Sequence, residues 1–174
     1  MKIIRFFILV TCISGLMFLS CDKDGDTSSG GINGTWTTTE IKGNISFNNA
    51  ELTSLVNSEF FGDVDDGDVW EFKNNGKMSI DDVNGTYTYT GDQLVITDSD
   101  DNDITFTATL ENNTLSLKMK KADAENQAWY VAEVVANAYQ REYYNVILNS
   151  VSITFILKRD GGSSNGNGGG MFPF

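Results

Sequence analysis

The chain has 174 residues, with 12 Lys+Arg against 24 Asp+Glu, a formal charge of −12, two Cys, one Pro and no His. Without His there can be no Ser-His-Asp triad, no His-activated Cys and no His-ligated zinc. The acidic balance argues against a nucleic-acid backbone binder, which needs clustered Lys and Arg.

Residues 1–20 read as a secretory signal. Lys2 and Arg5 precede an apolar run from Phe6 to Leu19, which is too short for a comfortable membrane span. The boundary Phe18-Leu19-Ser20-Cys21 resembles the lipobox of bacterial lipoproteins, with Phe18 in place of the usual Leu. That resemblance implies that Cys21 becomes the lipidated N-terminus, carrying acyl chains such as palmitate. Cys12 would leave with the signal, so the mature domain would have no thiol for a disulfide and its stability must come from a core. Cleavage takes Lys2 and Arg5 and no acid with it, moving the formal charge from −12 to −14. Residues 21–32 form an acidic linker. Its Asp22-Lys23-Asp24-Gly25-Asp26 resembles the export signal of certain Gram-negative surface lipoproteins, and a plain flexible tether is the alternative. The expected location is the outer membrane, lipid-anchored and facing the cell surface.

Residues 33–160 are expected to form one domain dominated by period-two alternation. After an opening strand around Trp36, Trp70 and Phe72 alternate with Glu71 and Lys73, and Asn74-Asn75-Gly76 turns the chain onto Met78 and Ile80. Tyr87 and Tyr89 are followed by a turn at Gly91-Asp92 and by Leu94 and Ile96. Ile104, Phe106, Ala108 and Leu110 share a face, Asn112-Asn113 turns, and Leu115, Leu117 and Met119 return. Ile153, Phe155 and Leu157 form the last strand. This predicts about eight strands, mostly in antiparallel hairpin order.

Two segments depart from the alternation. Residues 49–61 place Leu52, Leu55, Val56 and Phe60 at helical intervals, predicting a short helix. Residues 122–144 lack Gly and Pro and align Ala128, Val131, Val135 and Tyr139 on one face, predicting a long amphipathic helix before the last strand. Residues 161–174 are Gly-rich and expected to be a disordered tail.

The tokens Gly34-Thr35-Trp36 at the first strand and Arg159 at the end of the last resemble the lipocalin family. The segments Trp70 to Gly76 and Gly85 to Tyr89 are similar to those of lipocalin-like lipoproteins of Gram-negative bacteria. The resemblance implies a mainly β fold, an eight-stranded antiparallel barrel closed at its base by Trp36 under Arg159. The helix before the last strand departs from the family pattern, where the helix usually follows it. The resemblance further implies a monomer binding a small apolar ligand or lipid, with Trp70, Phe72, Tyr87, Tyr89, Phe106, Met119 and Phe155 lining the site. These rings serve equally as filled core, because an eight-stranded barrel is just wide enough for its own side chains or for one ligand.

Other readings are weaker. The early strands are short for a transmembrane barrel. Asp63, Asp65, Asp66 and Asp68, and separately Asp98, Asp100, Asp101 and Asp103, offer oxygen ligands to calcium, but neither cluster has EF-hand spacing, and solvated loop charge suffices. No metal or other cofactor is expected. A carboxylate pair is the only enzymatic chemistry left, and spacing reveals none, so no enzyme is expected. A filled barrel could instead present Trp129, Tyr130, Tyr139, Tyr143 and Tyr144 as an interaction or glycan-binding surface.

Overall fold

The structure is a computed structural model that describes residues 31–62, 67–81 and 83–159. The signal segment, Cys21, most of the linker and the Gly-rich tail lie outside the described residues, as do Asp63, Asp65 and Asp66. The elements are β1 (Gly34–Phe47), α1 (Ala50–Phe60), β2 (Val69–Phe72), β3 (Lys77–Ile80), β4 (Val83–Thr90), β5 (Gln93–Thr97), β6 (Asp103–Glu111), β7 (Thr114–Met119), α2 (Lys121–Ala138) and β8 (Leu148–Arg159). Each strand pairs antiparallel with its neighbour in the chain, and β8 returns to β1, so the eight strands close a barrel with no free edge.

The predicted alternation places the core. Trp70, Phe72, Met78, Ile80, Tyr87, Leu94, Ile96, Ile104, Phe106, Leu115, Leu117, Met119, Ile153 and Phe155 are all buried, and Tyr89 is half-buried against them. Strand β1 breaks the rule of twos. Thr38 pairs with Leu157 but Glu40 with Ile156, so Thr39 is an extra residue. That bulge changes which parity points inward. Trp36 and Thr38 are buried before it, whereas Ile41, Ile45 and Phe47 are buried after it.

Strands β1 and β8 outrun the others and continue as a two-stranded ribbon. Its inner face, carrying Ile45 and Phe47, receives the helices. Leu52, Val56 and Phe60 of α1 and Ala124, Ala128, Val131, Ala132 and Val135 of α2 belong to the same core as the barrel interior. Because Ile41 is opposite Phe155 inside the barrel, this face is the continuation of the interior, and the helices roof that end of the barrel. The side-chain oxygen of Asn49 accepts from the N–H of Leu52 and caps α1. One turn further, Asn57 bonds both to the N–H of Ile45, at 3.1 Å, and to its carbonyl, at 2.6 Å, taking the place of a strand neighbour for β1. The Asp123 carboxylate accepts from the N–H of Thr105, at 2.9 Å, and pins the start of α2 to β6.

The long helix is shorter than its composition predicts. It ends at Ala138, because Gln140 adopts a left-handed conformation (φ 53°). There the N–H of Gln140 bonds to the Asn137 carbonyl and that of Arg141 to the Ala136 carbonyl. This is a Schellman ending, in which glycine usually occupies the left-handed position. With Gln there, no stop signal was visible in the sequence. Tyr139, Tyr143 and Tyr144 therefore do not lie on the helix, and Tyr139 does not extend its buried face.

Candidate functional site

The barrel has a sealed end and a partly roofed end. At the sealed end Trp36 is fully buried and its indole N–H donates to the Ile32 carbonyl at 2.7 Å. The Arg159 guanidinium lies 4.5 Å from the Trp36 ring centroid and also donates to the Gly31 carbonyl. Register explains the meeting, since Trp36 and Arg159 are directly paired residues of β1 and β8. Nearby, the Tyr87 hydroxyl is within hydrogen-bonding distance of Asn33 Oδ1, at 2.7 Å, and of the Lys73 carbonyl, at 2.9 Å.

Aromatic rings fill the middle. Trp70 contacts Phe72, Phe106 and Phe155 at centroid distances of 6.3, 6.5 and 5.7 Å, and Phe72 meets Tyr87 edge-on at 5.1 Å. The Trp70 indole N–H donates to Thr38 Oγ1 at 3.0 Å, so the inward turn of Thr38 at the bulge satisfies the one polar atom of that ring. Of the seven residues that the resemblance assigns to a ligand, Trp70, Phe72, Phe106 and Phe155 thus form one cluster, and Tyr87 and Met119 are buried with them in the same core.

Space persists at the corner of the mouth that the helices leave uncovered. A hollow of about 30 Å³ is lined by Trp70, Met78, Ile80, Ile96, Ile104 and Phe106, with Val83, Asn84, Gly85, Thr97 and Asp98 at its rim. Outside it, on the β3–β4–β5 surface, lies an open cleft of about 530 Å³ bounded by Lys73, Lys77, Thr86, Ser99 and Asp101. Met78, Asn84, Gly85, Thr97 and Asp98 line both. The alternation already turns Met78, Ile80, Ile96 and Ile104 inward, but none of the four is among the seven residues expected to line a ligand site. Gly85 offers the one local signal, a glycine at an inward position of a strand.

The acidic loop between β5 and β6 uses its own ligands. The Asp98 carboxylate accepts from the N–H groups of Asp100 and Asn102, at 2.8 and 2.9 Å, and from the Asn102 amide. Asp103 accepts from Thr97 Oγ1 at 2.6 Å. No group of three or more metal-ligating side chains converges among the described residues. Among the aromatics of the α2 region, Trp129 is 43% exposed and packs edge-on against Phe47 at 5.2 Å, and Tyr139 and Tyr144 are 58% and 78% exposed. The Tyr144 hydroxyl donates to the Glu142 carboxylate, and this bond holds the phenol above its ordinary pKa. Tyr143 packs against the core, its hydroxyl buried without a partner among the described residues.

An eight-stranded antiparallel barrel in chain order, with a tryptophan buried at its base beneath a cation, is an architecture like that of lipocalin-like domains. In agreement, residues 32–117, just under half of the chain, match the family model described as lipocalin-like domain. The match begins at the Ile32 that Trp36 bonds and runs into β7, leaving α2 and β8 outside it. No curated protein and no solved structure gives a significant match to the chain.

Proposed function

We propose that this protein is a lipid-anchored lipoprotein of the cell envelope whose barrel takes the apolar end of a small molecule or lipid at the uncovered corner of its mouth. The observation that carries this reading is the apolar hollow beneath Val83 and Gly85, bordered by Trp70, Met78 and Phe106. Its volume is about one water's share of the liquid, so a ligand lengthens it by shifting Met78 and the isoleucines rather than by dropping into a ready calyx. Methionine suits such a wall, being unbranched and easily rearranged. Each methylene that enters gains about 0.8 kcal/mol. The role is binding without catalysis, and the monomer works from the outer membrane, facing the cell surface, on a tether that begins at lipidated Cys21.

Two measurements test this. Native mass spectrometry of gently extracted protein is expected to retain an apolar molecule, and labelled palmitate fed to cells is expected to mark the wild-type chain but not Cys21→Ser. An empty barrel would reject the ligand, and label on the Cys21→Ser chain would reject the anchor. A second reading has its own support: with the barrel nearly filled, the exposed Trp129, Tyr139 and Tyr144 would serve as an interaction or glycan-binding surface. An empty barrel together with glycan binding that is lost in Trp129→Ala would favour it.

A further inference from the structure

We propose that the inner hollow and the outer cleft are two halves of one site for a single-chain amphiphile, reached sideways through the notch between Val83–Gly85 and the β5–β6 loop. The inference rests on the reading that the barrel takes an apolar ligand, and it concerns the path and the form of that ligand. The usual routes into a barrel are its two ends, and here one is sealed and the other is partly roofed. Trp36, Ile32 and Arg159 seal the base, while α1 and α2 lie over the inner face of the β1–β8 ribbon at the other end.

The wall is weakest between β4 and β5. Their last paired residues are Thr86 and Thr97, so Val83, Asn84 and Gly85 are laddered only to β3, through Ile80, Ser79 and Met78. Parting the two sides beyond Thr86 and Thr97 breaks no ladder hydrogen bond. Met78, Asn84, Gly85, Thr97 and Asp98 line both hollows and so stand between them. A Cβ on Gly85 would stand 2.7 Å from the Thr97 carbonyl oxygen, closer than such atoms approach, so glycine is what lets the notch close. The loop side is fixed by the bonds that Asp98 makes to its own turn, and opening falls to the β4 side.

The two halves differ in chemistry as a chain and a head differ. The inner one is walled by side chains of Trp70, Met78, Ile96, Ile104 and Phe106. The outer one offers hydroxyls, Asp98, Asp101 and two lysines. Lys73 is paired with Glu71 at 3.1 Å, whereas Lys77 has no ion pair among the described residues and is available to an anionic head.

The test uses the full chain with Cys12→Ser and Cys21→Ser, so that introduced thiols are the only ones. One variant carries Asn84→Cys and Ser99→Cys across the notch; another carries Glu51→Cys and Arg141→Cys, sites joined by an ion pair at 3.3 Å across the helical roof. Each is clamped with a short bis-maleimide, and uptake of nitroxide-labelled stearic acid is followed by quenching of Trp70 fluorescence. The notch clamp is expected to slow uptake about tenfold or more, and the roof clamp to leave it within about twofold. Slowing by the roof clamp alone, or by both alike, overturns the lateral path while leaving the ligand reading intact. Absence of quenching in the unclamped chain overturns both. As an independent check, Gly85→Ala, which forces the notch apart, is expected to speed uptake and release; an unchanged or slower rate counts against the proposal.

Discussion

Arg159 lies over the ring of Trp36 at 4.5 Å, joining the last residue of β8 to the first buried residue of β1 across the seam that closes the barrel. The pair separates packing from charge. Trp36→Ala empties the sealed base and is expected to cost about 3–5 kcal/mol. Arg159→Ala removes a partly exposed cation–π contact and is expected to cost about 0.5–2 kcal/mol. Urea unfolding of both variants measures the ratio; an arginine effect equal to the tryptophan effect would contradict this assignment.

Thr38→Val keeps the shape of the side chain and removes the acceptor of the Trp70 indole N–H. A buried donor left without a partner costs about 1–3 kcal/mol. The loss is expected to vanish in a Trp70→Phe background, where no N–H remains, and a double-mutant cycle reads that coupling directly.

Gln140→Gly is expected to raise stability, by about 1 kcal/mol, since glycine enters the left-handed region without the penalty that a Cβ brings. The gain should appear as a higher urea midpoint at unchanged m-value. A loss instead would mean that the Gln140 side chain holds the helix end in place.

Val83→Phe fills the rim of the inner hollow from its half-buried position. Binding of nitroxide-labelled stearic acid is expected to weaken about tenfold, while the thermal midpoint stays close to that of the wild type. Undiminished binding would move the ligand away from this corner.

The strands from Trp70 to Met119 were legible because their alternation is uninterrupted and their turns carry Asn, Asp and Gly. Trp36 and Arg159 were legible as tokens of a resemblance, and the register of β1 on β8 is what brings them face to face. Three features were hidden for separate reasons. The bulge at Thr39 lies between residues of similar polarity, so the change of parity that buries Ile41, Ile45 and Phe47 leaves no local mark. The end of α2 is made by a glutamine in a glycine's conformation, which let the predicted helix run on to Tyr144. The division of the aromatic residues into filled core and residual hollow depends on how six strands crowd their side chains at one level, a matter of volume that no single strand encodes.

Alternation and turn residues, which are local properties of the chain, set the barrel's inner and outer faces from β2 to β7. The domain also contains no His, and no Cys falls between residues 33 and 160. Where space is left follows from packing between elements. Roofing by α1 and α2 and the bulge that turns Thr38 toward Trp70 are relations between segments far apart in the chain, and they act together with the end of β4–β5 pairing at Thr86 and Thr97. Their combined packing fills the middle of the barrel and leaves one corner open.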